Sequence, residues 1–97
     1  MEHSTSRAAA CRYRRAEQVA FVQQGGRTIL LEPRDGMYFS LDEIGGRLWD
    51  LLRTESSVEE ATAALAAEYD APAGVILADL QGLLLEMERR GLVEVRG

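Results

Sequence analysis

The feature that most constrains this chain is a single switch in hydrophobic period. From about residue 17 to 41, short β-rich runs are separated by turn signals, and from there to about residue 90 apolar residues recur at helical spacing. Strands come first and helices second, with no βαβ unit, which excludes a parallel sheet and predicts a small α+β domain. Val19, Phe21 and Val22 form the first run, which Gly25-Gly26 breaks. Thr28, Ile29, Leu30 and Leu31 form the second, which Pro33-Arg34-Asp35-Gly36 ends, and Met37-Tyr38-Phe39-Ser40 is the third. Such spacing predicts two consecutive hairpins and a three-stranded antiparallel meander, which needs another layer to pack on.

Three helices supply that layer. Ser40-Leu41-Asp42-Glu43 has capping-box spacing and predicts a helix start at Ser40, followed by Leu41, Ile44, Leu48, Leu51 and Leu52 on one stripe. Gly45-Gly46 inside this helix costs about 1 kcal/mol per glycine relative to alanine. The pair fits either close approach of another segment or a plain kink. A second capping box, Ser57-Val58-Glu59-Glu60, opens helix two, with Val58, Ala61, Leu65 and Tyr69 on one face. Pro72 suits the first position of helix three, and Gly91 suits its stop just beyond Arg89-Arg90. Ile76, Leu77, Leu80, Leu83, Leu84 and Met87 share one stripe of that helix. Residues 92–95 read as a short strand or an extended tail. The expected architecture is a three-stranded antiparallel sheet followed by three helices, of winged helix-turn-helix type.

Composition limits what such a domain can do. The chain has 97 residues, 46% of them hydrophobic, and a formal charge of −5. Residues 1–15 hold four arginines against one acid, so 1–16 are expected to form a flexible basic arm and 17–97 the acidic domain. There is no lysine, hence no Schiff-base chemistry, and one cysteine with one histidine cannot enclose a zinc ion. His3 and Cys11 both fall in the arm, away from any nucleophile or base. Glu59, Glu60, Glu68, Glu86 and Glu88 read as solvated helix-surface charge. No catalytic residue, metal ligand or cofactor is therefore expected. Apolar runs such as 29–31 and 83–85 are far too short to span a membrane. No apolar stretch precedes Cys11, so a cytoplasmic location is expected.

Nucleic acid is a poor partner for this pattern. Helix two has no basic residue, and helix three sets Asp79, Glu86 and Glu88 against Arg89 and Arg90, whereas phosphate neutralisation needs clustered cations. A small winged-helix regulator binding nucleic acid or another protein is the alternative reading.

Several segments carry a resemblance. Leu30-Leu31-Glu32-Pro33 followed by Gly36-Met37-Tyr38-Phe39-Ser40-Leu41-Asp42 resembles the strand–loop–strand pattern of the PqqD-like family. Ile44-Gly45-Gly46-Arg47-Leu48-Trp49-Asp50-Leu51-Leu52 is similar to the helix that follows it. Ser57-Val58-Glu59-Glu60-Ala61, Leu65-Ala66-Ala67-Glu68-Tyr69-Asp70, Ala78-Asp79-Leu80 and Arg90-Gly91-Leu92-Val93 continue the match in collinear order, over roughly residues 27 to 95. Asp42 stands where the family commonly has Asn, and Thr54-Glu55 replaces a usual Gly. The resemblance implies a RiPP recognition element, most similar to the stand-alone leader-binding proteins of lasso-peptide pathways. It implies a non-enzymatic adaptor working beside a cysteine leader peptidase and an ATP-dependent macrocyclase. The precursor's leader would add as a strand beside the third strand, against the third helix.

That mode needs an unpaired strand edge with adjacent apolar pockets, and the third strand is an edge by topology. Met37, Tyr38, Phe39 and Ser40 are the expected strand contacts, with Ile76, Asp79, Leu80 and Leu83 facing them from helix three. Arg27 and Arg34 are positioned for acidic leader residues, and Asp79 for a backbone amide or a basic side chain. Met37 and Phe39 fit core or groove equally well. Ile76, Leu80 and Leu83 are shared with the core, and Leu48 and Trp49 are assigned to it.

Overall fold

The computed structural model describes residues 11–96. The order is β1 (Arg12–Arg15), β2 (Ala20–Gln24), β3 (Arg27–Glu32), β4 (Met37–Leu41), α1 (Glu43–Leu51), α2 (Val58–Tyr69), α3 (Ala73–Arg89) and β5 (Val93–Arg96). Strands β2, β3 and β4 form the expected antiparallel meander in that spatial order. Gly25 and Gly26 both hold positive φ, 61° and 78°, as a two-residue hairpin between right-twisted strands requires. In the β3–β4 turn the Glu32 carboxylate, only 2% exposed, accepts the backbone N–H groups of Arg34 and Asp35 at 3.1 and 3.3 Å.

The chain start departs from expectation. Residues 12–15 are not part of a free arm: β1 pairs antiparallel with β5, Arg12 opposite Arg96 and Arg15 opposite Val93. Tyr13 also exchanges backbone hydrogen bonds with Ser56, at 2.8 and 3.0 Å, and Ala16 N–H donates to the Leu92 carbonyl. Cys11 is buried against the domain. Backbone pairing and core packing by Tyr13 and Ala16 hold the segment, and charge assists. Arg12 pairs with Glu55 and Glu60, and Arg14 with Glu94, so the acidic surplus of the body neutralises the basic strand. The rest of the expected arm, His3 included, lies outside the described residues.

Helix boundaries follow cap chemistry. The cap of helix α1 falls two residues later than the Ser40 box predicts, because β4 pairing runs through Leu41 and the Ser40 hydroxyl is engaged by Arg27 at 2.9 Å. Asp42 caps the helix instead, accepting from Gly45 N–H at 2.9 Å. In α2 the Ser57/Glu60 box closes reciprocally, both bonds at 3.1 Å. Pro72 is the N-cap of α3, with Ala73 first in the helix, and Gly91 at φ 73° follows the last turn.

The core lies between the inner sheet face and the three helices. Leu30, Leu41, Leu48, Trp49, Leu52, Leu65, Leu80, Leu84, Met87 and Leu92 are all fully buried. Leu48 and Trp49 are core, as expected. The Gly45-Gly46 pair marks a close approach: a Cβ at Gly46 would lie 2.6 Å from Thr28 Oγ1 on β3. Gly46→Ala is therefore expected to lose about 1–2 kcal/mol in denaturant unfolding, overpacking outweighing the helix-propensity gain. In a Thr28→Ala background the same substitution should be neutral or stabilising, and additive effects would show that the contact is not limiting.

Hydrogen bonds from Arg12, and then from the Ser57 backbone, hold the Glu60 carboxyl below the usual carboxylate range. A carboxyl depressed in the folded state adds stability above its unfolded pKa and loses it as pH falls through the folded one. Glu60→Gln should lower the melting temperature at neutral pH and flatten the acid limb of the stability profile below the usual carboxylate range. An unchanged acid limb in thermal melts would contradict this.

Candidate functional site

Among the described residues, strand β4 has a partner on one side only. In an antiparallel pair, alternate residues turn their N–H and C=O groups to the neighbour, so the others on β4 point to an open edge. The register places Met37, Phe39 and Leu41 opposite Glu32, Leu30 and Thr28, on the inner face. Tyr38 and Ser40 stand opposite Leu31 and Ile29, on the outer face. This is the period-2 alternation expected from sequence.

Beside that edge lies a cleft of about 510 Å³. Its floor is apolar, made by Phe39 and Leu41 of β4, Ile44 of α1, and Leu80 and Leu83 of α3. Its rim is polar, with Arg27, Ser40, Asp42 and Asp79. Arg27 Nη1 donates to Ser40 Oγ at 2.9 Å, and among the described residues no carboxylate lies within ion-pair distance of it. Asp79 likewise has no cation within that distance among the described residues. The Asp42 carboxylate is engaged in capping α1.

Helix α3 serves core and cleft at once. Ile76, Leu80, Leu84 and Met87, at i, i+4, i+8 and i+11, are buried, and Leu77 and Leu83 are half-buried on the flanks of that stripe. Leu83 and Asp79, one turn apart, line the cleft, whereas Leu80 contributes to its floor from the core side. At the other end of β4, the Arg90 guanidinium sits 5.3 Å from the Phe39 ring centroid and is tied to Glu86 at 2.8 Å.

Of the ten residues expected at the site, the cleft brings together Arg27, Phe39, Ser40, Asp79, Leu80 and Leu83. Ile76, 2% exposed, is core and does not line it. Arg34 is engaged with the Glu32 carboxylate at 3.2 Å and sits at the β3–β4 turn, away from the cleft. Met37 and Tyr38 are exposed on the edge strand and border a separate small recess with Glu32 and Arg90. Leu41, Asp42, Ile44 and Gly45 line the cleft and were not expected there. Their helical and capping signals were plain in the sequence. That the strand-to-helix junction sits against α3 depends on chain folding between residues 42 and 79.

Among the described residues no group of three or more His, Cys, Asp or Glu side chains is arranged to hold a metal ion. No described helix is long and apolar enough to cross a membrane.

Comparison with known proteins agrees with this architecture. The sequence model of the family described as Coenzyme PQQ synthesis protein D (PqqD) matches residues 27–93. The structure is similar to that of TbiB1 solved in complex with the TbiA(beta) leader peptide, at 30% identity and a TM-score of 0.75, covering 84% of this chain and 94% of that one. The fold also matches the PqqD truncation of PqqCD from Methylobacterium extorquens, a stand-alone RiPP recognition element, at 22% identity and TM-score 0.72, over 86% of this chain and 88% of that one. A lasso peptide synthetase B1 complexed with its leader peptide shares the fold at 22% identity and TM-score 0.65, over 84% and 96% of the two chains. No curated protein sequence matches significantly. With more than half of its length matched in sequence, and its three-stranded sheet and three helices superposing on these structures, the chain belongs to the PqqD family.

Proposed function

We propose that this protein is a non-enzymatic adaptor that binds the leader segment of a ribosomally made precursor peptide, of lasso-peptide type. The observation that carries this reading is the open edge of β4 lying directly beside an apolar cleft, in a chain 30% identical to a protein solved with a leader peptide bound. Main-chain hydrogen bonds to β4 supply affinity that is largely independent of leader sequence. The cleft, with its apolar floor and its Arg27 and Asp79 rim, supplies selectivity for alternate leader side chains. Ser40, Phe39, Leu80 and Leu83 complete the contacts. In this reading the adaptor presents the precursor to a cysteine leader peptidase and then to an ATP-dependent macrocyclase, in the cytoplasm, and uses no cofactor of its own.

Titration of the ¹⁵N-labelled protein with a synthetic leader of its cognate precursor should shift the amides of residues 37–41 and 79–83, with a Kd of about 1 μM or tighter, equivalent to about −8 kcal/mol or more. Unmoved amides along β4 would overturn strand addition there. Raising salt from about 50 to 200 mM should change this affinity less than about threefold, whereas binding through six or more phosphates would lose about a thousandfold or more. Leu83 is half-buried, so Leu83→Glu should keep the fold by circular dichroism and weaken leader binding at least about tenfold, near 1.4 kcal/mol. Leu83→Ala should fall between the two. Unchanged affinity in both variants would remove α3 from the site.

A further inference from the structure

The meander has a second open edge, at β2. Among the described residues β2 pairs with β3 alone, in continuous register from Ala20 opposite Leu31 to Gln24 opposite Arg27. A two-residue hairpin is closed by a pair that exchanges both of its backbone bonds, and bonded pairs alternate along the ladder from there. Gln24, Val22 and Ala20 therefore bond to β3, while the N–H and C=O groups of Phe21 and Gln23 face outward. Edge strands are ordinarily guarded by charge, proline or a bulge. Ala20-Phe21-Val22-Gln23-Gln24 has none of these and is exposed along its whole length.

Beside this edge lies a recess of about 310 Å³, lined by Arg14, Arg15 and Arg53 around Val19 and Phe21, with Glu17 on its rim. It is on the helix side of the sheet, since Phe21 stands opposite the buried Leu30. The Arg15 guanidinium is held in place: Nε donates to the Trp49 carbonyl at 2.8 Å, and Cζ sits 4.6 and 4.9 Å from the Phe21 and Trp49 rings. The carboxylate within its reach, Asp50 at 3.8 Å, is shared with Arg47 at 2.7 Å and Gln23 at 2.9 Å. Among the described residues no carboxylate lies within ion-pair distance of Arg53. Burial pushes the Arg15 pKa down; Asp50 opposes that, and Arg53 adds like-charge repulsion. On a chain of net charge −5, this is a local surplus of cations beside free main-chain groups.

We infer that β2 and this recess form a second peptide-binding edge, which takes an acidic extended segment of another protein. A strand added at Phe21 and Gln23 sends every second side chain to the helix side, where Arg15 and Arg53 stand. Carboxylates there meet two guanidiniums that the domain itself leaves short of anions, one of them already oriented by its aromatic neighbours. A second copy of this chain does not supply those carboxylates, because β2 set against β2 carries none and doubles the cations. Nucleic acid fits less well, since phosphates make no use of outward main-chain N–H and C=O groups in strand register. The inference is independent of leader binding: β2 and β4 are opposite edges of one sheet, so both can be occupied at once.

The test titrates the full-length ¹⁵N-labelled protein with a blocked hexapeptide of alternating Glu and Val, and with its Gln and Lys counterparts. The Glu peptide should shift the Phe21 and Gln23 amides and the Nε–H signals of Arg15 and Arg53 saturably, with a Kd of about 1 mM or tighter. The amides of residues 37–41 should stay in place, and the Gln and Lys peptides should bind at least about fivefold more weakly. Arg53 is exposed, so Arg53→Glu should keep the fold by circular dichroism and weaken the Glu peptide about fivefold or more. Arg53→Lys should retain most of the affinity. No saturation below about 10 mM, equal binding of the Gln peptide, or arginine shifts without movement at Phe21 and Gln23 overturns the inference. So does an oligonucleotide that moves the same signals at lower concentration, or a wild-type dimer, seen by sedimentation, that Val22→Glu dissociates.

Discussion

The seat of α1 on β3 governs the rest of the molecule. With no side chain at Gly46, α1 lies so close to β3 that a Cβ there would sit 2.6 Å from Thr28 Oγ1. Leu48 and Trp49 then reach the core, Leu30 is sealed, and Ile44 and Gly45 line the cleft between β4 and α3. A larger residue at Gly46 would lift the helix from β3 and change the floor of the cleft, although it touches none of the cleft's contents. The site thus depends on a packing contact on its far side.

Helix α3 shows how a small domain combines a core with a binding surface. Its central stripe is fully buried, and truncating a residue such as Leu80 carries the usual core cost of about 2–5 kcal/mol. The flank of the same stripe, Leu83 and Asp79, faces the cleft. The two functions do not compete because the apolar stripe is wider than the core needs. Ion pairs tie the other two helices together: Arg47 of α1 bridges Asp50 of its own helix and Glu68 of α2, at 2.7 and 2.9 Å. The Glu68 and Asp50 hydrogen bonds in turn hold the Arg47 guanidinium firmly in its charged form.

Charge plays a different part at the chain start. Arginines that read in isolation as a solvated tag are distributed along β1 to meet Glu55, Glu60 and Glu94, residues between forty and eighty positions away. Composition counts the charges of a segment and not their partners. For the same reason a net charge of −5 coexists with a sheet face that carries no charge in its centre.

Local physics made much of this protein legible in advance. Glycine-punctuated β-rich runs dictated the meander and its register, and the Ser57/Glu60 box dictated the start of α2. Gly91 dictated the stop of α3, because turns, caps and periodicity act over a few residues. The edge position of β4 and the alternation of Phe39 and Tyr38 followed from the same signals. Only the tertiary structure decided that 12–15 pair with β5, that Ile76 is core, that Arg34 turns to Glu32, and that Leu41, Asp42, Ile44 and Gly45 line the cleft. Each of these depends on which distant segments meet. A stripe or a charge on one element specifies that it must be covered or paired, and chain topology specifies by what.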